Sequence, residues 1–448
     1  MATRLSTVKK ETAIEDSLTY NNARPNDSVL ARLWLSIVII SMPFFCKATD
    51  SGIGLTETIL GAFYHSSLAI WFIWQLLVKR KKIIRNGGDI LASIFYIVSL
   101  CTVFVSWGND VEPLQWARSW QLLLLMLYYL PIREHFRTEK QIHYLIFLLS
   151  CVLVGFGIVN LMEYRKITSS FDYGYEVLYK GVRNDAPLFG AAGIIALLTL
   201  ITVKSNKLRI YAIGLASVFL LVLIASLART SWVAFLASLV FLVFFLEASG
   251  RRKFLTAFSM FIVAAGFIVM TFYSNLAEIA FVVIQTRLSS SVNINTDKSY
   301  LGRVLETREV MKGVARYPLG GNGFQKDHLR YDLLIKAHIR AVYSHNGYSG
   351  LLFKAGIPLA ITFWMIIIYY IFIGVWTARR NRQDALIQII ALGSAAGLVS
   401  YCITNIAEGV FESRSGLLTT GFMIALIGCA RYLAEDRKML SSTHTNES

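Results

Sequence analysis

Twelve stretches of about 20 mostly apolar residues decide what this 448-residue chain can fold into. A helix of that length spans the hydrocarbon core of a bilayer and satisfies all its backbone hydrogen bonds internally. Apolar residues make up 55% of the sequence and charged residues only 16%, whereas a soluble domain carries roughly 25% charged residues. The sequence therefore predicts an all-α polytopic membrane protein and excludes a string of soluble domains. The stretches lie near 30–46, 58–78, 89–107, 115–132, 142–162, 186–203, 209–228, 230–247, 254–273, 349–377, 385–405 and 415–433.

Two polar ends and one long polar stretch divide the chain into five parts. Residues 1–28 are mixed in charge and lack the apolar core of a signal peptide, which predicts a disordered cytoplasmic tail. A connection of about 75 residues is far longer than an ordinary loop, and such loops are usually functional. The predicted parts are a tail at 1–28, helices one to nine at 29–273, a long loop at 274–348, helices ten to twelve at 349–434 and a second tail at 435–448.

Clusters of lysine and arginine mark alternate connections between the apolar stretches. By contrast, 106–112 has no lysine or arginine and 47–57 has one. Because short basic loops stay in the cytoplasm, the pattern predicts that both termini are cytoplasmic and that the long loop lies outside. The same clustering accounts for the net charge of +16 and argues against nucleic-acid binding. The basic connections lie at 79–85, 133–140, 204–209, 251–253 and 379–382.

The long loop contains two segments with helical patterns. Gly302–Arg316 reads as an amphipathic helix, ended by Pro318 and the glycines that follow it. A second short helix is predicted over 328–342. The loop is therefore expected to form a small helical cap on the membrane. The predicted apolar face of the first helix consists of Val304, Val310, Met311 and Val314.

Several arginines lie on the outer side, where positive charge is disfavoured. Arg229 occupies a tight hairpin between two apolar stretches, and Arg183 and Arg303 lie in outer loops. An arginine at a membrane edge is costly unless it has a partner or lines a polar cavity. Two interpretations stay open. The guanidinium groups bind one shared anionic ligand, such as a lipid diphosphate, or Arg229 reaches lipid headgroups while the loop arginines form a solvated face.

One histidine ends the long loop, within Ser344-His345-Asn346-Gly347-Tyr348. The unperturbed pKa of histidine, about 6.5, suits proton abstraction near neutral pH. His345 is therefore a candidate general base at the mouth of the tenth apolar stretch. The alternative is a hydrogen-bonded residue at the membrane boundary without a catalytic role.

The order of these residues along the loop resembles the O-antigen ligase superfamily, which also contains O-antigen polymerases and related bacterial oligosaccharyltransferases. The resemblance is closest over residues 300–360. An arginine, a glycine turn and a His-Asn pair, in this order, are typical of the family. The matching residues are Gly302-Arg303, Pro318-Leu319-Gly320, Gly321, Gly323, His345-Asn346, Tyr348 and Gly356-Ile357.

The resemblance implies a C-type, metal-independent glycosyltransferase fold without a cofactor. It implies an O-antigen ligase of the bacterial inner membrane, which transfers a polysaccharide from undecaprenyl diphosphate to a lipid A-core sugar at the periplasmic face. Its partners are the lipid-linked donor, the lipid A-core acceptor and membrane lipids. The implied roles are His345 as general base, Arg183, Arg229 and Arg303 as diphosphate ligands, and Asn346, Gly321, Gly323 and Tyr348 as supporting residues.

The chemistry agrees with this assignment. A leaving diphosphate gains negative charge, which preorganised arginines stabilise. Metal-dependent transferases hold a divalent ion with paired carboxylates, and the sequence has no Asp-x-Asp pair. The five cysteines lie in or beside apolar stretches and indicate neither disulfides nor a metal site. Glu408 and Glu412 are expected to pair with Arg414, with orientation of His345 or contact with acceptor sugars as the alternatives.

Two rival functions bear on this interpretation. An O-antigen or exopolysaccharide polymerase uses the same lipid-linked donor, so the sequence separates it poorly from a ligase. A polysaccharide transporter or flippase also commonly has twelve spans. Transporters usually show two related halves and a midplane site made of broken helices, and this sequence shows no internal repeat. The single compact loop that ends in His345-Asn346 favours a ligase, with the polymerase as the alternative.

Overall fold

Helices make up nearly all of the structure. The computed structural model describes residues 25–47, 55–169, 185–226, 228–272, 298–332 and 336–445. The first eight helices are α1 (Pro25–Cys46), α2 (Leu55–Ile73), α3 (Gly87–Leu100), α4 (Thr102–Gly108), α5 (Pro113–Leu124), α6 (Tyr129–His135), α7 (Glu139–Ser169) and α8 (Ala186–Thr202). The others are α9 (Asn206–Ala225), α10 (Arg229–Phe245), α11 (Ala248–Phe272), α12 (Lys298–Arg316), α13 (Gly347–Arg380), α14 (Ala385–Ile387), α15 (Gly393–Thr404) and α16 (Arg414–Thr445).

Helical segments lie at all twelve apolar stretches, as the hydropathy pattern predicts. Among the described residues, eight helical segments are long and apolar enough to cross a membrane, and α8 and α10 are shorter apolar helices. The chain is a largely helical, multi-pass membrane protein. The stretches at 115–132 and 254–273 lie outside those ten segments, so the count of twelve spans stays a prediction. The first of these two folds as α5, a 3₁₀ turn and α6.

The helices at the two ends of the chain extend beyond the predicted spans. α1 begins at Pro25, within the predicted tail of residues 1–28. α16 continues to Thr445, so most of the predicted tail at 435–448 is helical. Charged pairs stabilise this extension. Arg431 bonds Glu435 one turn later at 2.8 Å, and Arg437 bonds Glu139 at the start of α7 at 2.7 Å.

The core lies around α15 and α16. In the span Ala385–Thr404, which ends with α15, and in Arg414–Met439 of α16, 83% of the most apolar residues are buried, compared with 22% in the peripheral span Leu55–Val78, which begins with α2. α15 runs antiparallel to α8, because Gly393 lies against Ile195 whereas Gly397, further along α15, lies against Ala191 near the start of α8. The small side chains at these positions allow the two backbones to approach closely.

A buried ion pair joins three helices at the opposite end from the long loop. Asp89 is the third residue of α3 and forms a capping box with Asn86. Its carboxylate accepts two hydrogen bonds from Arg133 of α6, at 2.8 and 3.0 Å, and one each from Tyr129 and Tyr370. A buried carboxylate requires such partners. This contact holds α3, α6 and α13 together.

The predicted amphipathic helix of the long loop is present as α12, but two of the four residues predicted to form its buried apolar face are exposed. Val310 and Val314 are buried, whereas Val304 and Met311 are exposed. The buried stripe continues from the two valines to Glu306, one turn earlier. It packs against α13, where the ring of Phe353 contacts the valines. A pattern of apolar residues alone therefore does not predict this buried face, because the face includes the carboxylate of Glu306.

The second predicted helix of the loop, at 328–342, is wrong. This segment forms an antiparallel hairpin of β1 (His328–Asp332) and β2 (Ala337–Ala341), with His328 opposite Ala341. Alternate side chains of a strand point to opposite faces. Accordingly His328 is buried while Leu329 is 52% exposed. The hairpin therefore turns His328 and Arg330 together toward one side, where β1 packs against α12.

Candidate active site

The start of α13 positions His345. Asn346 caps this helix, since its side-chain oxygen accepts hydrogen bonds from the backbone N–H groups of Tyr348 and Ser349 at 3.0 and 3.1 Å. The Gly347 N–H donates to the carbonyl of Asn405, just after α15, at 2.9 Å. The predicted supporting role of Asn346 therefore corresponds, in the structure, to a helix cap directly after the histidine.

His345 contacts a carboxylate from the loop helix. Its Nδ1 lies 2.8 Å from Oε2 of Glu306, and its ring meets the ring of Tyr343 edge-on at 5.8 Å. The side chain of Glu306 is 1% exposed and that of His345 is 34% exposed. The histidine is thus held from inside the protein while part of its ring faces outward.

The same carboxylate holds a second histidine. Nε2 of His328 lies 3.3 Å from Oε1 of Glu306, so the carboxylate bridges the hairpin and the start of α13. Burial raises the pKa of Glu306, but the hydrogen bonds from His328 and His345 and the charge of Arg330 outweigh burial and lower it to about 2. Glu306 is therefore ionised at neutral pH.

Arg303 lies on α12 one turn before Glu306. Residues three apart on a helix are neighbours on its surface, so Arg303 belongs to the stretch of α12 that faces His345. Its side chain is half-buried and interacts with another part of the chain. Arg330 of β1 adds a second guanidinium, with Nη1 3.5 Å from Nδ1 of His345. The structure thus places Arg303 one turn from the carboxylate that contacts the histidine, and Arg330 beside the histidine itself.

Arg229 is the first residue of α10 and lies at the same end of the bundle. Gly190, near the start of α8, lies beside Leu223 at the end of α9 and Ser400 at the end of α15. α10 begins just after α9 ends, and Asn405 directly follows α15. Arg229 and Asn405 therefore both lie at the end of the bundle marked by these contacts, and Asn405 bonds the start of α13 there. Arg229 is half-buried and has a partner within the chain. The predicted Arg183 lies outside the described residues.

The glycine turn predicted to support the site locks the loop to α13. Gly321 and Gly323 have φ of +68° and +90°, a region that favours glycine. The N–H groups of Asn322 and Gly323 donate to the carbonyls of Phe353 and Lys354 at 2.6 and 3.0 Å. These bonds are possible because α13 is broken at Gly356, whose φ is +77°. The two predicted glycines therefore have a docking role.

Gly323→Ala is expected to destabilise the protein by roughly 2–4 kcal/mol. The alanine would have to keep a φ that is unfavourable for a residue with a side chain, and its Cβ would overlap Ser106 of α4. The measurement is the thermal unfolding midpoint of the purified protein in detergent. Gly320→Ala, in the same turn, is the control. Its Cβ would meet Val105 at an ordinary 3.6 Å. Equal midpoints for the two variants would contradict the docking role.

Tyr348, the last predicted supporting residue, also has structural contacts. Its hydroxyl donates to the carbonyl of Cys402 at 2.9 Å, and its ring stacks on Trp364 at a centroid distance of 4.3 Å. These contacts join the first turn of α13 to the end of α15. Tyr348 therefore stabilises the helix start that carries the candidate base.

The expected pairing of Glu412 with Arg414 is wrong. Glu412 forms a buried ion pair with Lys354 of α13, and Arg414 pairs with Glu57 of α2. Both ion pairs join residues that are far apart in the sequence, so closeness in the sequence does not predict the partner of Glu412 or of Arg414. The carboxylate that contacts His345 is Glu306, which the sequence interpretation did not single out. Glu408 also has a partner within the chain.

Glu306, His328 and Arg330 are the site residues that sequence reasoning missed. The sequence signal for Glu306 is its position three residues after Arg303 on a predicted helix, but the predicted apolar face of that helix does not include it. His328 and Arg330 were placed on a helix, which concealed their shared strand face. Within the described ranges, no group of three or more His, Cys, Asp or Glu side chains is arranged to hold a metal ion.

Comparison with known proteins finds a family match over part of the chain. No curated protein matches the chain. A family model described as O-antigen ligase matches residues 212–364, which run from α9 through α12 and the hairpin into α13. The match contains Arg229, Arg303 and His345 and confirms the resemblance seen in the sequence. Over these residues, about a third of its length, the chain is therefore similar to the O-antigen ligase family.

Proposed function

We propose that this protein is an O-antigen ligase that transfers a polysaccharide from undecaprenyl diphosphate to a sugar of lipid A-core. The family indicates an enzyme of the ligase or polymerase type, acting on lipid-linked glycans in a membrane. The observation that carries the proposal is the contact of His345 with the ionised Glu306. This contact holds a partly exposed candidate base near arginines at one end of the helical bundle.

In the proposed reaction, His345 removes the proton from the acceptor hydroxyl as that oxygen attacks the anomeric carbon of the donor sugar. The new bond joins the acceptor oxygen to the anomeric carbon, and the bond from that carbon to the diphosphate oxygen breaks. The leaving diphosphate gains negative charge. Arg303, Arg229 and Arg183 are proposed to stabilise that charge through paired N–H donors.

The proposed orientation places this end of the bundle in the periplasm and both termini in the cytoplasm. Arg229, the start of α13 and α12 share one end, while Arg133 and the basic segment at 79–85 meet at the other through the Asp89 network. Basic short loops favour the cytoplasmic side of an inner membrane. A diphosphate site at the opposite end therefore faces the compartment in which lipid A-core receives its polysaccharide.

The deciding experiment is deletion of the gene, followed by gel analysis of lipopolysaccharide and of lipid-linked glycan. A ligase is expected to leave lipid A-core without any O-chain while long polymer accumulates on undecaprenyl diphosphate. A plasmid copy of the wild-type gene is the control and is expected to restore the ladder. Core that carries a single repeat unit would contradict the ligase and identify a polymerase, which uses the same donor.

A further inference from the structure

Three separate segments meet at the carboxylate of Glu306. His345 before α13 contacts Oε2 at 2.8 Å, and His328 of β1 contacts Oε1 at 3.3 Å. The side chains of Glu306 and His328 are 1% and 4% exposed, so the carboxylate is enclosed on the side away from His345. The arrangement is a buried anion between two imidazole rings, of which only His345 reaches the surface.

This geometry decides which nitrogen of His345 carries the proton. An ionised carboxylate only accepts hydrogen bonds, and a neutral imidazole has one donor nitrogen and one acceptor nitrogen. Because Nδ1 faces Glu306, Nδ1 has to be the donor. Nε2 then keeps its lone pair, and a lone pair is what a base needs to take a proton from a hydroxyl.

Arg330 provides a test of this assignment within the structure. Its Nη1 lies 3.5 Å from the same Nδ1, and a guanidinium has donors only. A bond from Arg330 would require Nδ1 to be an acceptor, which is incompatible with a proton on Nδ1. The contact with Glu306 is 0.7 Å shorter (3.5 − 2.8) and charge-assisted, so it decides the tautomer. Arg330 then acts as a positive charge beside the pair.

We propose that Glu306 is a positioning residue that holds His345 with its proton on Nδ1, leaves Nε2 free to act as the base, and stabilises the imidazolium that forms when Nε2 takes up the proton. His328 holds the second oxygen of the carboxylate and so fixes its orientation. This inference rests on the proposed function, because it assigns a role within the same site.

The test compares Glu306→Gln with Glu309→Gln in the purified full-length protein, using transfer of lipid-linked glycan to lipid A-core. Glu309 lies on the same helix but forms a surface ion pair with Lys312, so its variant controls for loss of a helix carboxylate. Glu306→Gln is expected to lower kcat by on the order of 10²-fold with little change in KM, because binding contacts remain. Glu309→Gln is expected to keep wild-type kinetics. A wild-type kcat in Glu306→Gln would overturn the inference.

A measurement independent of activity is ¹⁵N NMR of histidine-labelled protein, with the His345 signals assigned from a His345→Gln variant. Wild-type protein is expected to show Nδ1 protonated and Nε2 unprotonated, and Glu306→Asp, which keeps the charge, is expected to retain part of this preference and part of kcat. An Nε2-protonated ring in the wild type overturns the inference without any variant. If the wild-type protein transfers no glycan to lipid A-core, the proposed function fails whatever the tautomer of His345. If the wild-type protein is active and His345→Ala keeps full activity, His345 is not the base and this inference fails while the ligase function stands.

Discussion

Replacing His345 by alanine is expected to lower the rate of glycan transfer by about 10³-fold while the protein stays in the membrane at its normal level. The imidazole of His345 is partly exposed and contacts the ionised carboxylate of Glu306. Without it, the acceptor hydroxyl has to attack while still holding its proton. The measurement is single-turnover transfer from a lipid-linked donor to lipid A-core by purified enzyme.

The control for this variant is His338→Ala. His338 lies on β2, is exposed, and meets the ring of Tyr331 at 5.1 Å, away from Glu306. It is expected to keep wild-type activity, since it lacks the carboxylate contact that defines the base. Full activity in His345→Ala would refute the assignment of the base.

Replacing Arg303 by alanine is expected to lower kcat by about 10²–10³-fold, because the positive charge proposed to stabilise the leaving diphosphate is lost. Arg303 lies one turn before Glu306 on α12, so the positive group and the carboxylate that contacts the base share one rigid element. Arg303→Lys keeps the charge but not the paired donors of a guanidinium, and an intermediate rate is expected. The measurement is the dependence of rate on the concentration of lipid-linked donor.

Arg308→Ala is the matched control for this prediction. Arg308 lies on the same helix and is exposed, so its loss changes the net charge of α12 equally. It is expected to leave kcat unchanged. If both arginine variants lose activity to the same extent, the effect belongs to the overall charge of the loop and not to a specific diphosphate contact.

The helices and the family resemblance were predictable from the sequence for a simple reason. A stretch such as 209–228 is apolar enough to lie in lipid, where a helix satisfies all backbone hydrogen bonds within the segment. Its helical structure can therefore be predicted without knowing which segments pack against it. The glycines at 321 and 323 and the histidine at 345 were also recognisable, because a fixed order of residue types along one loop carries the resemblance to the family.

The partners of these residues were not predictable in the same way. α12 was found, yet its inward face was misassigned because a pattern of apolar residues cannot anticipate a buried carboxylate. Glu306 is stable there because His328 and His345, 22 and 39 residues away, supply its hydrogen bonds. Likewise Glu412 pairs with Lys354 across 58 residues, whereas the neighbouring Arg414 has a partner in α2.

Local chemistry thus accounts for the membrane helices, the family resemblance and the candidate base at His345. Three-dimensional packing accounts for the hairpin in place of a helix, the docking of the glycine turn into the break of α13, and the carboxylate behind the base. The division follows from distance along the chain. Hydropathy and residue order act within one segment, whereas the pairing of a buried charge depends on which distant segments the fold brings within hydrogen-bonding range.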